Sequence, residues 1–164
     1  MQHKEEEEEL KQQFQSDLEI YDVTRDDWQY KFCYLKKPLI FKMNKSMTVH
    51  CMKLPKGFIG ILDTAVEDMN MLNKLTYYLA RKCGFNTVTP LLPGYTIMAR
   101  TNPLTTYWDC NNSMISGVPA KNKFKAQVAV EIVGIQLLPT SVCLCMYVDQ
   151  VKVLGEIQTI CMFA

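Results

Sequence analysis

Histidine and glycine are scarce, two and seven in 164 residues, and neither falls into a pattern that chemistry requires. Seven scattered glycines leave no Gly-rich loop to cradle a phosphate and no Gly-x-Ser-x-Gly turn to present a nucleophilic serine. The histidines form no His-Glu-x-x-His pair: His3 borders a run of acids, and His50 neighbours Cys51. On a strand those two side chains point to opposite faces, so the imidazole cannot act as base for that thiol. Asp109 and Glu131 are isolated carboxylates. No catalytic residue, metal ligand set or cofactor site is expected, and the chain reads as non-enzymatic.

Cys-x-x-Cys is also missing, although there are seven cysteines: Cys33, Cys51, Cys83, Cys110, Cys143, Cys145 and Cys161. Their odd number argues against a complete disulfide framework, and the two-residue step from Cys143 to Cys145 is too wide on a strand for one tetrahedral zinc. Seven reduced, mostly buried thiols are expected. The first twenty residues lack an apolar leader core, which points to a cytoplasmic or nuclear setting. Residues 126–148 are long enough to weigh as a membrane span, but Gln127, Glu131, Gln136 and Pro139 interrupt them. There Ala126, Val128, Val130 and Ile132 alternate with Gln127, Ala129, Glu131 and Val133, the period of a half-buried strand. No contact with a membrane is expected.

The length fits one core, and an apolar fraction of 48% with 21% charged residues is that of a folded globular chain. The formal charge of +1 conceals an asymmetry. Residues 1–22 hold eight acids against two lysines, and residues 25–57 hold eight lysines and arginines against two aspartates. An acidic arm therefore precedes a basic segment, and the division expected is a helical arm over 1–22 and one α+β domain over 23–164. Leu10, Phe14, Leu18 and Tyr21 recur at spacings of three and four, which predicts a helix over about residues 4–20 whose apolar stripe needs a partner surface.

Beyond the arm, strands interrupted at Pro38, Asn44 and Ser46 are expected through residue 54, followed by a turn at Pro55-Lys56-Gly57. Thr64 and Glu67 have the spacing of a capping box, and Ala65, Met69, Leu72, Leu75, Leu79 and Cys83 follow as a helical stripe. Gly84 supplies the left-handed stop. The segments around residues 95–100 and 104–110 read as a hairpin or a bend, and residues 111–123 as a long loop. Three further strands are expected, over 124–138 with a bulge at Gly134, over 141–148, and over 151–163 after a tight turn at Asp149-Gln150. The result is an α+β fold with a mainly antiparallel sheet of about six to seven strands, packed by the N-terminal helix and one central amphipathic helix.

Two functions fit these features. The first is a non-enzymatic protein-interaction domain, a subunit of a larger assembly or a homo-oligomer, using Leu10, Phe14, Leu18 and Tyr21. The alternative is single-stranded nucleic-acid binding by residues 28–56, where Trp28 and Tyr34 offer stacking faces and Lys31, Lys36, Lys37, Lys42 and Lys45 offer cations for phosphates. Alternation puts Phe32, Tyr34 and Lys36 on one face and Lys31, Cys33, Leu35 and Lys37 on the other, so these lysines do not form one stripe by sequence alone.

Overall fold

A computed structural model describes residues 2–25, 30–54, 57–85, 97–100, 104–115, 123–137 and 142–154. In chain order the elements are α1 (Gln2–Phe14), β1 (Ile20–Arg25), β2 (Tyr30–Lys42), β3 (Met47–Leu54), β4 (Gly57–Leu62), α2 (Val66–Lys82), β5 (Ile97–Arg100), β6 (Thr106–Trp108), β7 (Met114–Ile115), β8 (Lys123–Leu137) and β9 (Val142–Leu154). The class is the expected one: α+β, with a mainly antiparallel sheet and both helices packed on it. Seven strands have four or more residues; β6 and β7 are shorter.

The sheet is organised by β8. One of its edges pairs with β9 over nearly its whole length, from Lys125↔Leu154 to Leu137↔Val142. The other edge is divided: β3 takes residues 123–126 and β2 takes 129–137. From β3 the chain of pairings continues through β4 and β5 and returns to β9 at Arg100↔Tyr147, so β8, β3, β4, β5 and β9 close a ring of five strands. Outside that ring β1 extends the sheet beyond β2, and β6 and β7 extend it beside β9.

Alternation along the long strands creates two faces with different chemistry. Leu35, Leu39 and Phe41 of β2, Val128, Val130 and Ile132 of β8, and Val148, Val151 and Val153 of β9 are buried with the α2 stripe Met69, Leu72, Leu75 and Leu79. At the end of α2, Gly84 has φ +79°, and the amides of Gly84 and Phe85 donate to Arg81 O and Ala80 O, the pattern of a Schellman stop. The start of α2 differs from expectation. Ala65 is the N-cap, without a side-chain cap bond, and the Thr64 hydroxyl donates to Leu62 O, so no capping box forms. Instead Asp68, fully buried, accepts the backbone amides of Asn44 (3.0 Å) and Lys45 (3.2 Å), fastening the β2–β3 turn to the helix.

The arm also departs from its expected form. Its helix stops at Phe14 because Gln15 turns left-handed, with φ 49°, and the Gln15 and Ser16 amides close a second Schellman pattern on Gln12 O and Lys11 O. Tyr21 therefore lies on a strand and not on the helical stripe. Leu10 and Leu18 are 2% and 0% exposed in the common core, and Phe14 meets Phe41 with ring centroids 5.6 Å apart. Tyr78 donates to Glu7 Oε1 at 2.9 Å; burial and this contact push its hydroxyl up to about 12, while the bond holds the Glu7 carboxyl below its usual value. Ion pairs Glu6–Arg81 and Glu9–Lys74 lie in solvent and contribute roughly 0–1 kcal/mol each. Burying each leucine is worth about 1.5–3 kcal/mol, so the apolar contacts dock the arm and the charges orient it.

Further corrections concern the strands. β2 runs through Pro38, where it bulges away from β8 between Tyr34 and Leu39. β4, not anticipated, pairs with β3 and β5. β5 and β6 do not form a hairpin with each other; both run parallel to β9. β9 continues through Asp149-Gln150, which marks a bulge opposite Ala129/Val130 and not a turn. The bulge expected at Gly134 is present. Gly134 has φ +155°, and a Cβ there would overlap the Cys33 carbonyl oxygen and lie 2.8 Å from Tyr34 Cα. Gly134→Ala is expected to lower stability by roughly 3 kcal/mol or more, through strain and displaced backbone. Gly84→Ala, with open space around it, should lose only about 1–2 kcal/mol. Urea midpoints for the two variants check this ordering.

Candidate functional site

Both helices lie on the core side, so among the described residues neither helix covers the opposite face of β2, β8, β9 and β6, where Lys42, Gln127 and Gln150 are exposed. Its rows follow from register. Lys42 lies opposite Ala129, which lies opposite Gln150, which pairs with Thr106. In the next row Gln127 faces Lys152, and Lys152 pairs with Trp108. These positions border a groove of about 320 Å³, lined by Lys42, Trp108, Asn112, Gln127, Gln150 and Lys152 with the small Ala129 at its floor.

Local structure fixes the aromatic wall. The Thr105 hydroxyl donates to Val148 O at 2.7 Å and holds the start of β6 to β9. The Trp108 Nε1–H donates to Thr106 Oγ1 at 3.3 Å. Immediately after Trp108, Asp109 Oδ1 accepts the amides of Asn111 and Ser113, both at 2.8 Å, and Asn112 turns left-handed at φ 65°. Asp and Asn are the residues suited to such a turn, because a short polar side chain can replace backbone partners. Asp109 is thus a turn clamp that brings Asn112 to the groove. The wall is aromatic, the flanks are two ammonium groups, and the remaining lining supplies amides from Asn112, Gln127 and Gln150 and apolar surface from Val128 and Ala129. Such a surface can stack a flat ring, neutralise an anion and exchange hydrogen bonds; it holds no arranged acid, base or nucleophile.

The residues singled out from sequence are distributed over several places. Leu10, Phe14 and Leu18 are turned into the chain's own core, and of that stripe only Tyr21 is open, at 50% exposure. Trp28 lies outside the described residues. Lys31 is on the core side of β2 with its Nζ 3.4 Å from Cys83 O. Tyr34 and Lys42 are on the open face, and Lys36 and Lys37 are exposed in the bulge, Lys36 at 3.8 Å from Glu19. Lys45 is exposed in the turn held by Asp68. Residues 28–56 therefore do not make a groove alone: Lys42 joins Trp108, Gln127, Gln150 and Lys152, which sequence reasoning did not select. Their signal was available as the polar half of two period-two strands, and as an indole directly before an Asx-type turn.

The cysteines depart from expectation in pairing and in burial. Cys33 of β2 and Cys83 at the end of α2 are joined as a disulfide, with Cα atoms 7.0 Å apart, against the expectation of seven thiols. Cys110 and Cys143 are free and exposed, and Cys145 is free and half-buried; burial, with a smaller effect of Cys143, pushes the Cys145 thiol up to about 11. Among the described residues no cluster of three or more His, Cys, Asp or Glu side chains could hold a metal ion, and no helix is long and apolar enough to cross a membrane. Comparison with family models, curated proteins and solved structures finds no match to this chain.

Alkylation of unreduced, denatured protein followed by peptide mapping should label Cys110, Cys143 and Cys145 and leave Cys33 and Cys83 unlabelled. Full labelling of Cys33 and Cys83 would contradict their link.

Proposed function

We propose that this protein binds single-stranded nucleic acid on the open face of its sheet. The observation that carries the reading is the convergence of one indole, Trp108, with two lysines from separate strands, Lys42 and Lys152, on one groove. Unpaired bases are held by stacking on aromatic faces and their phosphates by cations, and this combination tolerates any sequence. Gln127, Gln150 and Asn112 add amide donors and acceptors for base edges. Five-stranded barrels include oligonucleotide binders. That likeness is one of architecture only, and the side chains carry the argument.

The near-neutral total charge does not oppose the reading, because the acids of the arm lie elsewhere and Glu131 is set in the row beyond Lys42 and Gln150. Glu6, Glu7 and Glu9 of the arm are engaged with Arg81, Tyr78 and Lys74 on the helical side. The acidic arm is thus not positioned to compete with phosphate for Lys42 and Lys152. A second reading, a protein-docking domain, is favoured by Tyr21 and Ile40, which are 50% and 56% exposed. The stripe first considered for that role is largely taken up within the chain, since Leu10 and Leu18 are buried.

Fluorescence anisotropy with a labelled oligothymidine of about twelve nucleotides tests the proposal. Binding should weaken steeply with salt, and Lys42→Ala and Lys152→Ala should each reduce the slope of log K against log salt by about 0.7. Trp108→Ala should cost about 1–3 kcal/mol of binding free energy. Absence of binding at low salt would remove this reading and leave protein docking.

A further inference from the structure

The cationic surface does not end at the groove. Strand β8 runs on past Gln127, and alternation leaves Gln127, Lys125 and Lys123 exposed on the groove face while Phe124 and Ala126 between them are buried. Lys125 lies between Leu154 of β9 and Thr48 of β3, so both of its cross-strand neighbours are uncharged. Among the described residues, none of Lys42, Lys123, Lys125 and Lys152 is held by a carboxylate, whereas Lys11, Lys36, Lys74 and Arg81 each lie 3.2–3.8 Å from a glutamate. The four lysines of this face keep their charge available to a ligand.

The two directions along the face differ in sign. On one side of the row of Lys42, Ala129 and Gln150, Asp149 occupies the β9 bulge and Glu131 stands in the next row, opposite Tyr147. At about 3.3 Å per residue, Glu131 is roughly 7 Å along β8 from Ala129, and Lys123 is roughly 20 Å away in the other direction. A phosphodiester chain is thus repelled at one end and neutralised at the other. Asp63, whose amide donates to Thr48 O, stands one strand beyond β3. The favourable path for an anion therefore follows β8 and β9, between those acids.

We propose that a single strand stacked on Trp108 leaves the groove toward Lys125 and Lys123, its phosphates following β8, with Glu131 closing the opposite end. This rests on the groove being a nucleic-acid site, and it gives that site a direction. Lys125 and Lys123 are two residues apart, about 6.6 Å along the strand, a spacing that flexible lysine stems can match to successive phosphates of an extended chain. Neither lines the groove itself. Both therefore act on phosphates outside the stacked nucleotide.

Anisotropy of the full-length protein with a labelled oligothymidine of about twelve nucleotides, titrated at several salt concentrations, tests the direction. Combining Lys123→Ala with Lys125→Ala should lower the slope of log K against log salt by about 1.4, at about 0.7 for each phosphate contact. Combining Lys36→Ala with Lys37→Ala, which lie beyond Glu131, should leave the slope as in the wild type. All four side chains are exposed, so their truncation leaves the core intact. A wild-type slope for the Lys123 and Lys125 variant, while Lys42→Ala still lowers it, would overturn the path and leave the groove reading standing. A loss as large or larger in the Lys36 and Lys37 variant would mean diffuse attraction or the opposite direction, and would overturn it too. If no oligothymidine binds, both fall.

Discussion

A strand inside a sheet has two rows of backbone donors and acceptors, and leaving either row unpaired away from water costs about as much as a lost hydrogen bond per group. The fifteen-residue strand β8 meets this demand by dividing one edge between β3 and β2 and giving the other to β9. That division sets the rest of the architecture. It allows β3, β4 and β5 to curl back to β9, and it leaves β2 and β1 projecting as a separate wing. The wing approaches β8 so closely at Cys33 and Tyr34 that only glycine fits at position 134.

The same arrangement separates two chemistries. The core side receives α2, the arm and the Cys33–Cys83 link, and the arm's glutamates meet the basic and phenolic groups of α2 there. Lys42, Lys152 and Trp108 stand on the other side. A chain of formal charge +1 can thus present a cationic surface without a strongly basic composition. Asp68 has a part in this, since by holding the Asn44 and Lys45 amides it fixes where β2 ends, and so where Lys42 stands.

Sequence patterns revealed the elements whose information is local. The Met69, Leu72, Leu75 and Leu79 stripe, the Gly84 stop and the alternation in β8 were all legible, because each is written in adjacent turns or residues. β4 was not, because Gly57–Leu62 lacks polar alternation. The end of α1 was missed because Gln15 in a left-handed conformation carries no glycine-like signal. The groove was illegible for a different reason. Lys42, Gln127 and Lys152 become neighbours only through register between strands far apart in sequence, and the roles of Asp68 and Cys83 likewise depend on where α2 lands.

The central claim is that the face of β2, β8, β9 and β6 turned away from the helices is the working surface. Photocrosslinking of the full-length protein to an iodouridine-substituted single strand, followed by peptide mapping, tests it most directly. The account predicts adducts at Trp108, abolished by competing unlabelled strand. Adducts confined to α1 and α2, or none above a non-binding control, would contradict it.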